Sequence, residues 1–502
     1  MITRISTMKI VSSEEMRELD RRTIEAGIPG EELMYAAGEG LAAAIRTLAG
    51  NHQLVDSPVL FVAGSGNNGG DAFVAALLLY EDGWPVECWL AASENKVRGD
   101  ALIWLKKMKK AGVPFQTLET SDHWKAAAES GTDAEILVDG LLGTGISGAP
   151  RGVIADAVSF IDSQADRSLV VAIDMPSAMA VRADLTVTMG LPKVESIEPE
   201  HLDCVGNIEV VDIGIPPEFI EETAGDGARA LIHPSDLAEL FPRRPRDTHK
   251  GSYGHVLCIG GSKGFSGAIT MAAKTAVHSG TGLVSVFVPE AIHALVAPAV
   301  PEAMVHSGMP ENDWTAILAG CGMGRSATTK EQVLQLLETS SVPVILDADA
   351  ITVMAGQTEA LASAACPLIL TPHPGEFARL FGLKVEDVQD DRFGMARMAA
   401  DRLGATVVLK GAGTLVASPG VPAAVNMTGN PGMASGGSGD VLAGLIAGLA
   451  AQSINPFEAA CAGVWLHGRA GDLAAAEKSQ ASIAATDIIE KLPEAFREIS
   501  CR

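Results

Sequence analysis

Asn426-Met427-Thr428-Gly429-Asn430-Pro431-Gly432-Met433-Ala434-Ser435-Gly436-Gly437-Ser438-Gly439-Asp440, followed at once by the apolar run VLAGLIAGLAA (441–451), is the stretch on which the fold of this chain turns. The run predicts an apolar helix. Three glycines ahead of it bring peptide N–H groups to the helix N-terminus. The first amides of a helix have no partner within it, and its dipole favours negative charge there, so the stretch forms an anion hole. Asp440 stands at the helix start. It can cap the helix, or it can take the proton of a hydroxyl that attacks a phosphoryl group. A cap alone would tolerate Asn or Ser and would not require GGSG before it, which favours the second role. An aspartate of ordinary pKa (about 3.9) is a weak base at neutral pH. It becomes useful when placed against the hydroxyl, with fixed donors stabilising the migrating charge.

Outward from this loop, strands and helices alternate. Strands are expected at HVLCIGG (255–261), LVSVFVP, AILAGCG, VPVILDA, PLILTPH and ATVVLKG, with helices over 268–279 and 375–381. Several strand exits carry chemistry: Gly260 to Ala268 as a phosphate or ribose cradle, Asp347 and Asp349, the loop Leu409 to Thr414, and His373 held between Pro372 and Pro374. The first half alternates in the same way. Ser12 and Glu15 match a capping box for an opening helix that Gly27 can end, and a second helix is expected over 31–48. Strands at 58–64, 85–91, 136–140 and 169–175 follow, with helices from Asp71 and near 98–111. NIEVVDIGIPP (207–217) closes this half, and 219–230 is the candidate linker. Alternation of this kind predicts parallel sheets covered by helices on both faces. The fold class expected is therefore α/β, with two three-layer domains in series over 1–228 and 229–502.

Gly64-Ser65-Gly66-Asn67-Asn68-Gly69 spells GxGxxG between a strand and a helix. An ordinary dinucleotide fold wants an acid at the end of the second strand, yet that strand ends Cys88-Trp89-Leu90-Ala91. A plain dehydrogenase is thus a poor fit. Asn67, Asn68 and Asp71 add side-chain oxygens that a phosphate cradle does not need and that suit a hard cation better. Asp139 and Asp174 stand at strand C-termini, where open parallel sheets bind ligands.

The chain has 502 residues and a formal net charge of −25, with 47% hydrophobic and 20% charged residues. That composition supports large cores and argues against binding to nucleic acid or to an acidic membrane surface. Seven dispersed cysteines with no CxxC suggest neither a disulfide framework nor a zinc cluster. Reduced thiols, no signal-peptide pattern and no apolar run long enough to span a bilayer lead to a cytoplasmic expectation.

In combination, GNNGGD, DGLLGTG, DMPS and ADLTVTMGLPK, over roughly 11–216, resemble the epimerase domain of the bifunctional NAD(P)H-hydrate repair enzymes. The resemblance implies a Rossmann-like fold and a potassium ion held by Asn68, Asp139 and Ser177. It implies a hydrated nicotinamide nucleotide contacting Asn67, Asn68, Gly69, Gly70, Asp71, Gly143, Thr144, Gly145, Ile146, Ser147, Gly148, Ala149 and Asp174. Interconversion of R and S hydrates needs proton transfer or ring opening, and Asp139 and Asp174 are the candidate acid/base groups. The sequence departs from the family pattern at a shortened 177–183 loop, at Tyr35 in place of a carboxylate, and at Ala72. These departures predict reduced epimerase turnover.

The second half, about 229–499, resembles the ribokinase-like superfamily and, within it, the nucleotide-dependent NAD(P)H-hydrate dehydratases. KGSYGHVLCIGGSKGFSGA, GCGMG, LDADA, TPHPGE, KGAGT and NMTGNPGMASGGSGD carry the likeness, with Thr352 a departure where Asn is usual. It implies substrate contacts at Ala268, Gly324, His373 and Asp440, and contacts to ADP or ATP at Lys410, Gly411, Ala412, Gly413, Thr414 and Gly439. Magnesium would arrive on the nucleotide oxygens; two-domain chains of this kind suggest ADP. The expected partners are NAD(P)H hydrates, an adenine nucleotide and further copies of the chain. A ribokinase-like small-molecule kinase with a non-catalytic first domain is the alternative.

Overall fold

The computed structural model describes residues 8–143, 149–223, 225, 229–310 and 313–500. Two compact units divide the chain, one over 9–227 and the other over 228–502 with Met8 grouped alongside it.

The first unit opens with the helix Ser13–Glu25. Both halves of its capping box form, Ser12 Oγ receiving the Glu15 amide and the Glu15 carboxylate receiving the Ser12 amide. The helix Gly30–Asn51 follows. The sheet has seven strands, all parallel, in the order 115–117, 86–90, 59–63, 136–140, 169–173, 185–189, 207–211. Val59–Ala63 and Ile136–Gly140 are its central pair and are almost wholly buried, as near-continuous apolar strands covered on both faces should be. The order reverses between these two strands, and a crevice opens outside their carboxyl ends, where doubly wound sheets bind ligands. The helix expected from Asp71 begins four residues earlier, at Asn67, so the two asparagines belong to its first turn. Part of the candidate linker is helical, at Pro217–Glu222.

From Arg229 onward the second sheet runs 229–231, 423–426, 414–417, 406–409, 368–370, 344–346, 316–319, 255–259, 283–287, 304–306. It is parallel except around Thr414–Ala417, which pairs antiparallel with both neighbours. That hairpin was not expected from the sequence; its strands are four residues each, too short to show a period. The order reverses between His255–Ile259 and Ala316–Ala319. The apolar helix Ser438–Ala451 is buried along nearly its whole length, within a core shared with the helices Ser266–His278 and Pro456–Lys478. At Gly444 an added Cβ would lie 2.2 Å from the Ala272 carbonyl oxygen. Only glycine permits that helix-to-helix approach.

The cysteines at 88, 204, 258, 321, 366 and 461 are free, and no described helix is long and apolar enough to cross a membrane.

Candidate active sites

Each unit carries a cluster of functional groups at the carboxyl edge of its sheet. In the first, the chain leaves Val59–Ala63 through Gly64 and turns into the helix Asn67–Glu81. A Cβ at Gly69 would stand 1.9 Å from the Gly64 oxygen, so the turn closes only on glycine. This brings the Asn68 side chain across to the neighbouring strand ends. Its Nδ2 donates to the Leu142 carbonyl (3.0 Å) and the Ile173 carbonyl (2.8 Å), leaving Oδ1 toward Gly143. Asp139 is completely buried, and Ser177 grips it with both its hydroxyl (2.6 Å) and its amide (2.7 Å). Burial pushes the Asp139 carboxyl up to about 6, against the pull of those bonds.

A cleft opens beside this cluster. It is lined by Asn67, Asn68, Asp71, Asp174 and Lys193, together with Asp20 and Met34 from the two opening helices. Asp174 holds a left-handed backbone (φ +68°) at the end of its strand. Its carboxylate is ion-paired with Lys193, whose ammonium is almost inaccessible and also donates to the Met189 carbonyl at 2.8 Å. Asp71 is buried, and desolvation together with the charges of Asp174 and Asp20 raises its carboxyl well above the usual range.

The predicted residues Asn67, Asn68, Asp71 and Asp174 therefore meet at one cleft. Asp139 does not line it. Its carboxylate is turned into the Ser177 network. Gly143 and Ala149 flank the predicted loop, while Thr144, Gly145, Ile146, Ser147 and Gly148 lie outside the described residues. The shortened loop still delivers Ser177 to Asp139. Tyr35 stacks on Trp104, ring centroids 5.7 Å apart. Sequence reasoning missed Asp20 and Lys193. The closing lysine of ADLTVTMGLPK was the available signal for the second.

In the second unit the helix Ser438–Ala451 takes Gly437 as its N-cap, in a left-handed conformation (φ +99°). Asp440 is therefore not the cap, and its side chain receives no helix amide. Among the described residues the amides of Gly436, Gly437, Gly439 and Asp440 donate to no protein acceptor. These are the groups an anion would fill.

Asp440 faces two strand exits: its carboxylate, the Cys321 sulfur and the Asp347 carboxylate lie within 4.8 Å of one another. Burial, with the charge of Asp347 second, pushes the Asp440 carboxyl up to about 6, while the Cys321 thiol and Lys410 work the other way. Asp347 receives the Thr371 hydroxyl (2.7 Å) and the Lys410 ammonium (2.8 Å) on one oxygen and presents the other to Cys321, 3.9 Å away. Lys410 also lies 3.9 Å from Glu376. His373 caps the helix Pro374–Phe381, its Nδ1 receiving the Gly375 amide at 3.0 Å, with Nε2 on the outer side 3.4 Å from Glu376.

The loop that follows Lys410 is held by a residue that sequence reasoning passed over. The buried Arg392 donates to the carbonyls of Leu409, Lys410 and Gly413, which fixes Gly411, Ala412 and Gly413; Thr414 closes the turn on the Gly411 carbonyl at 2.8 Å. Gly324 (φ +84°) donates its amide to Asp349, and Ala268 lies in the first turn of the helix Ser266–His278, beside Gly322. Thr352 leaves its hydroxyl buried and unpartnered.

These two clusters coincide with two known domain families. Residues 256–494 match the family described as NAD(P)H-hydrate dehydratase, and residues 30–195 match the YjeF-related protein N-terminus. The bifunctional NAD(P)H-hydrate repair enzyme of Moorella thermoacetica is 37% identical over 98% of this chain and 97% of its own length. This chain belongs to the bifunctional NAD(P)H-hydrate repair enzyme family. The Escherichia coli member is 32% identical over 96% of this chain and 92% of its own length. Among solved structures, the ADP/ATP-dependent NAD(P)H-hydrate dehydratase of Bacillus subtilis, co-crystallised with ATP and Mg²⁺, is 32% identical. It matches 54% of this chain and 98% of its own, with a TM-score of 0.50. The repair-enzyme family thus accounts for both clusters in a single polypeptide, and the fold is the two-unit α/β arrangement its members combine.

Proposed function

We propose that the second unit dehydrates the S hydrates of NADH and NADPH at the expense of an adenine nucleotide, and that the first interconverts the R and S hydrates. The observation that carries the dehydratase reading is Asp440 beside four donor amides that the protein itself leaves free. Hydroxide leaves poorly and phosphate leaves well. Asp440 takes the proton of the C6 hydroxyl, and the hydroxyl oxygen bonds to the terminal phosphorus of the nucleotide as the bridging P–O bond breaks and the shortened nucleotide leaves with its electron pair. The glycine amides hold the charge of the moving group. The C6–O bond then breaks with the ring nitrogen supplying electrons, C5 loses a proton, and the C5–C6 double bond returns. Lys410, the loop Gly411 to Thr414 and Gly439 bind the nucleotide, while Ala268, Gly324 and His373 bind the hydrate. ADP is the favoured co-substrate. Magnesium bound to its phosphates would neutralise their charge; Lys410 already occupies Asp347, which leaves the phosphates as the main ligands.

In the first unit, Asn68, Asp139 and Ser177 supply oxygens around a buried carboxylate whose bonded partners include no cationic side chain. An all-oxygen set with an uncompensated acid suits potassium, which would supply the missing positive charge and fix the strand ends. The protein's own groups then bind and turn over the hydrate: Asn67, Asn68 and Asp71 position it, and Asp174 moves a proton.

Incubation with mixed R and S hydrate, Mg²⁺ and ADP tests both halves. Complete recovery of reduced-nicotinamide absorbance, with release of phosphate, is expected. A stable phosphate ester would instead mark a kinase. Recovery that stops at the S fraction, after spontaneous epimerisation is subtracted, would mark a silent first unit.

A further inference from the structure

A carboxyl group of the first cleft, Asp20, has no place in the scheme above. Asp20 sits on the opening helix Ser13–Glu25, more than forty residues before the first glycine loop, yet it lines the same cleft as Asn67, Asp71, Asp174 and Lys193. Its Oδ1 is buried and has no hydrogen-bond partner among the described residues. The charged groups that face it come from three other elements: Lys193 beyond the strand Leu185–Met189, Asp174 at the end of Leu169–Ile173, and Asp71 on Asn67–Glu81. Asp100, from Gly99–Ala111, also lines the cleft. Lys193 is committed to Asp174. Asp20 and Asp71, whose charges repel each other, have no cation of their own in a poorly hydrated space, and ionising both is costly. The cluster therefore retains a proton.

Resting on the epimerase reading above, we propose that Asp20 is a catalytic acid of hydrate epimerisation. Hydration places a hydroxyl on C6, next to the ring nitrogen N1. The hydroxyl proton passes to the Asp174 carboxylate. The C6–N1 bond breaks with its electron pair going to N1, and N1 takes the proton of Asp20. C6 is now an aldehyde, free to turn about the C5–C6 bond. Reversal of the two transfers closes the ring on the other face and restores both carboxyls, so no oxidant or net proton is consumed. Asp20 suits the acid role: burial pushes its carboxyl up to about 6 and Asp174 adds to this, with Lys193 opposing. Asp174, held by its ammonium, suits the base.

The test uses the full-length protein with purified R hydrate, Mg²⁺ and ADP, with recovered absorbance reporting epimerisation and S hydrate assayed alongside. In Asp20→Asn the epimerase kcat should fall by at least about 10²-fold, the usual share of one acid or base. KM for the R hydrate and turnover of the S hydrate should be little changed. Wild-type epimerisation should lose rate at high pH as Asp20 ionises, and the Asn variant should lack that limb. Wild-type kcat with an unmoved pH profile in Asp20→Asn would overturn the assignment. Should the Asn variant fail to fold, Asp20→Glu decides: a displaced high-pH limb supports the role and an unmoved limb overturns it. A wild-type protein that does not epimerise at all would remove the underlying reading rather than the choice of Asp20.

Discussion

Replacing Asp440 by Asn keeps the size and hydrogen-bonding reach of the side chain and removes only its capacity to accept a proton. The amides of Gly436, Gly437, Gly439 and Asp440 remain, so nucleotide binding should survive. A positioned general base contributes about 10²- to 10⁴-fold, and kcat for S-hydrate dehydration should fall by that factor with KM for ADP little altered. The wild-type pH profile gives a second, independent magnitude. With its carboxyl pushed up to about 6, Asp440 is about one-eleventh ionised at pH 5, so kcat/KM should be about tenfold below its plateau there. A carboxyl at the ordinary value would retain about nine-tenths of its activity at the same pH. Stability moves the opposite way. A raised carboxyl means that the folded chain holds this proton more tightly between about pH 4 and 6, so this group's contribution to stability declines as pH rises through that window. Initial rates from reduced-nicotinamide absorbance across pH 4 to 8, for wild type and Asp440→Asn, check both figures. An Asn variant with wild-type kcat, or a wild-type acid limb below pH 4.5, would refute the assignment of the base.

Four further perturbations address neighbouring groups. Cys321→Ala removes the thiol that helps keep Asp440 ionised, so the acid limb of dehydration should move above its wild-type position; a pH-rate profile reads it. Lys193→Met strands a buried carboxylate at Asp174 and should cost the first unit about 3 kcal/mol, measured by denaturant unfolding through its tryptophans, while dehydration of S hydrate is spared. Replacing K⁺ by Li⁺ should lower the melting temperature of the first unit, and Ser177→Ala should abolish that ion dependence, since a ligand stabilises only the state that binds it.

Local features of the fold were legible because short-range physics sets them. Ser12 and Glu15 are three residues apart, and their reciprocal bonds form as the capping pattern requires. The strand-exit glycines and the apolar helix after Asp440 were readable for the same reason. The partners that define the sites were not. Lys193 reaches Asp174 across 19 residues, Lys410 reaches Asp347 across 63, and Asp20 comes from a helix whose one legible motif is its capping box. Such meetings follow from the order of strands in a sheet, which alternation alone does not specify. Asp139 illustrates the limit most directly. Its place at a strand end suggested a group facing the ligand, yet Ser177 turns it inward.

The unfilled amides ahead of Asp440 have a consequence for how the reaction ends. Such amides bind an oxyanion by charge and direction, and both the phosphoryl group in transfer and the orthophosphate left behind present anionic oxygens to them. Spent phosphate thus has donors where the next nucleotide must deliver its terminal group. Inorganic phosphate should therefore compete with the nucleotide for the same amides.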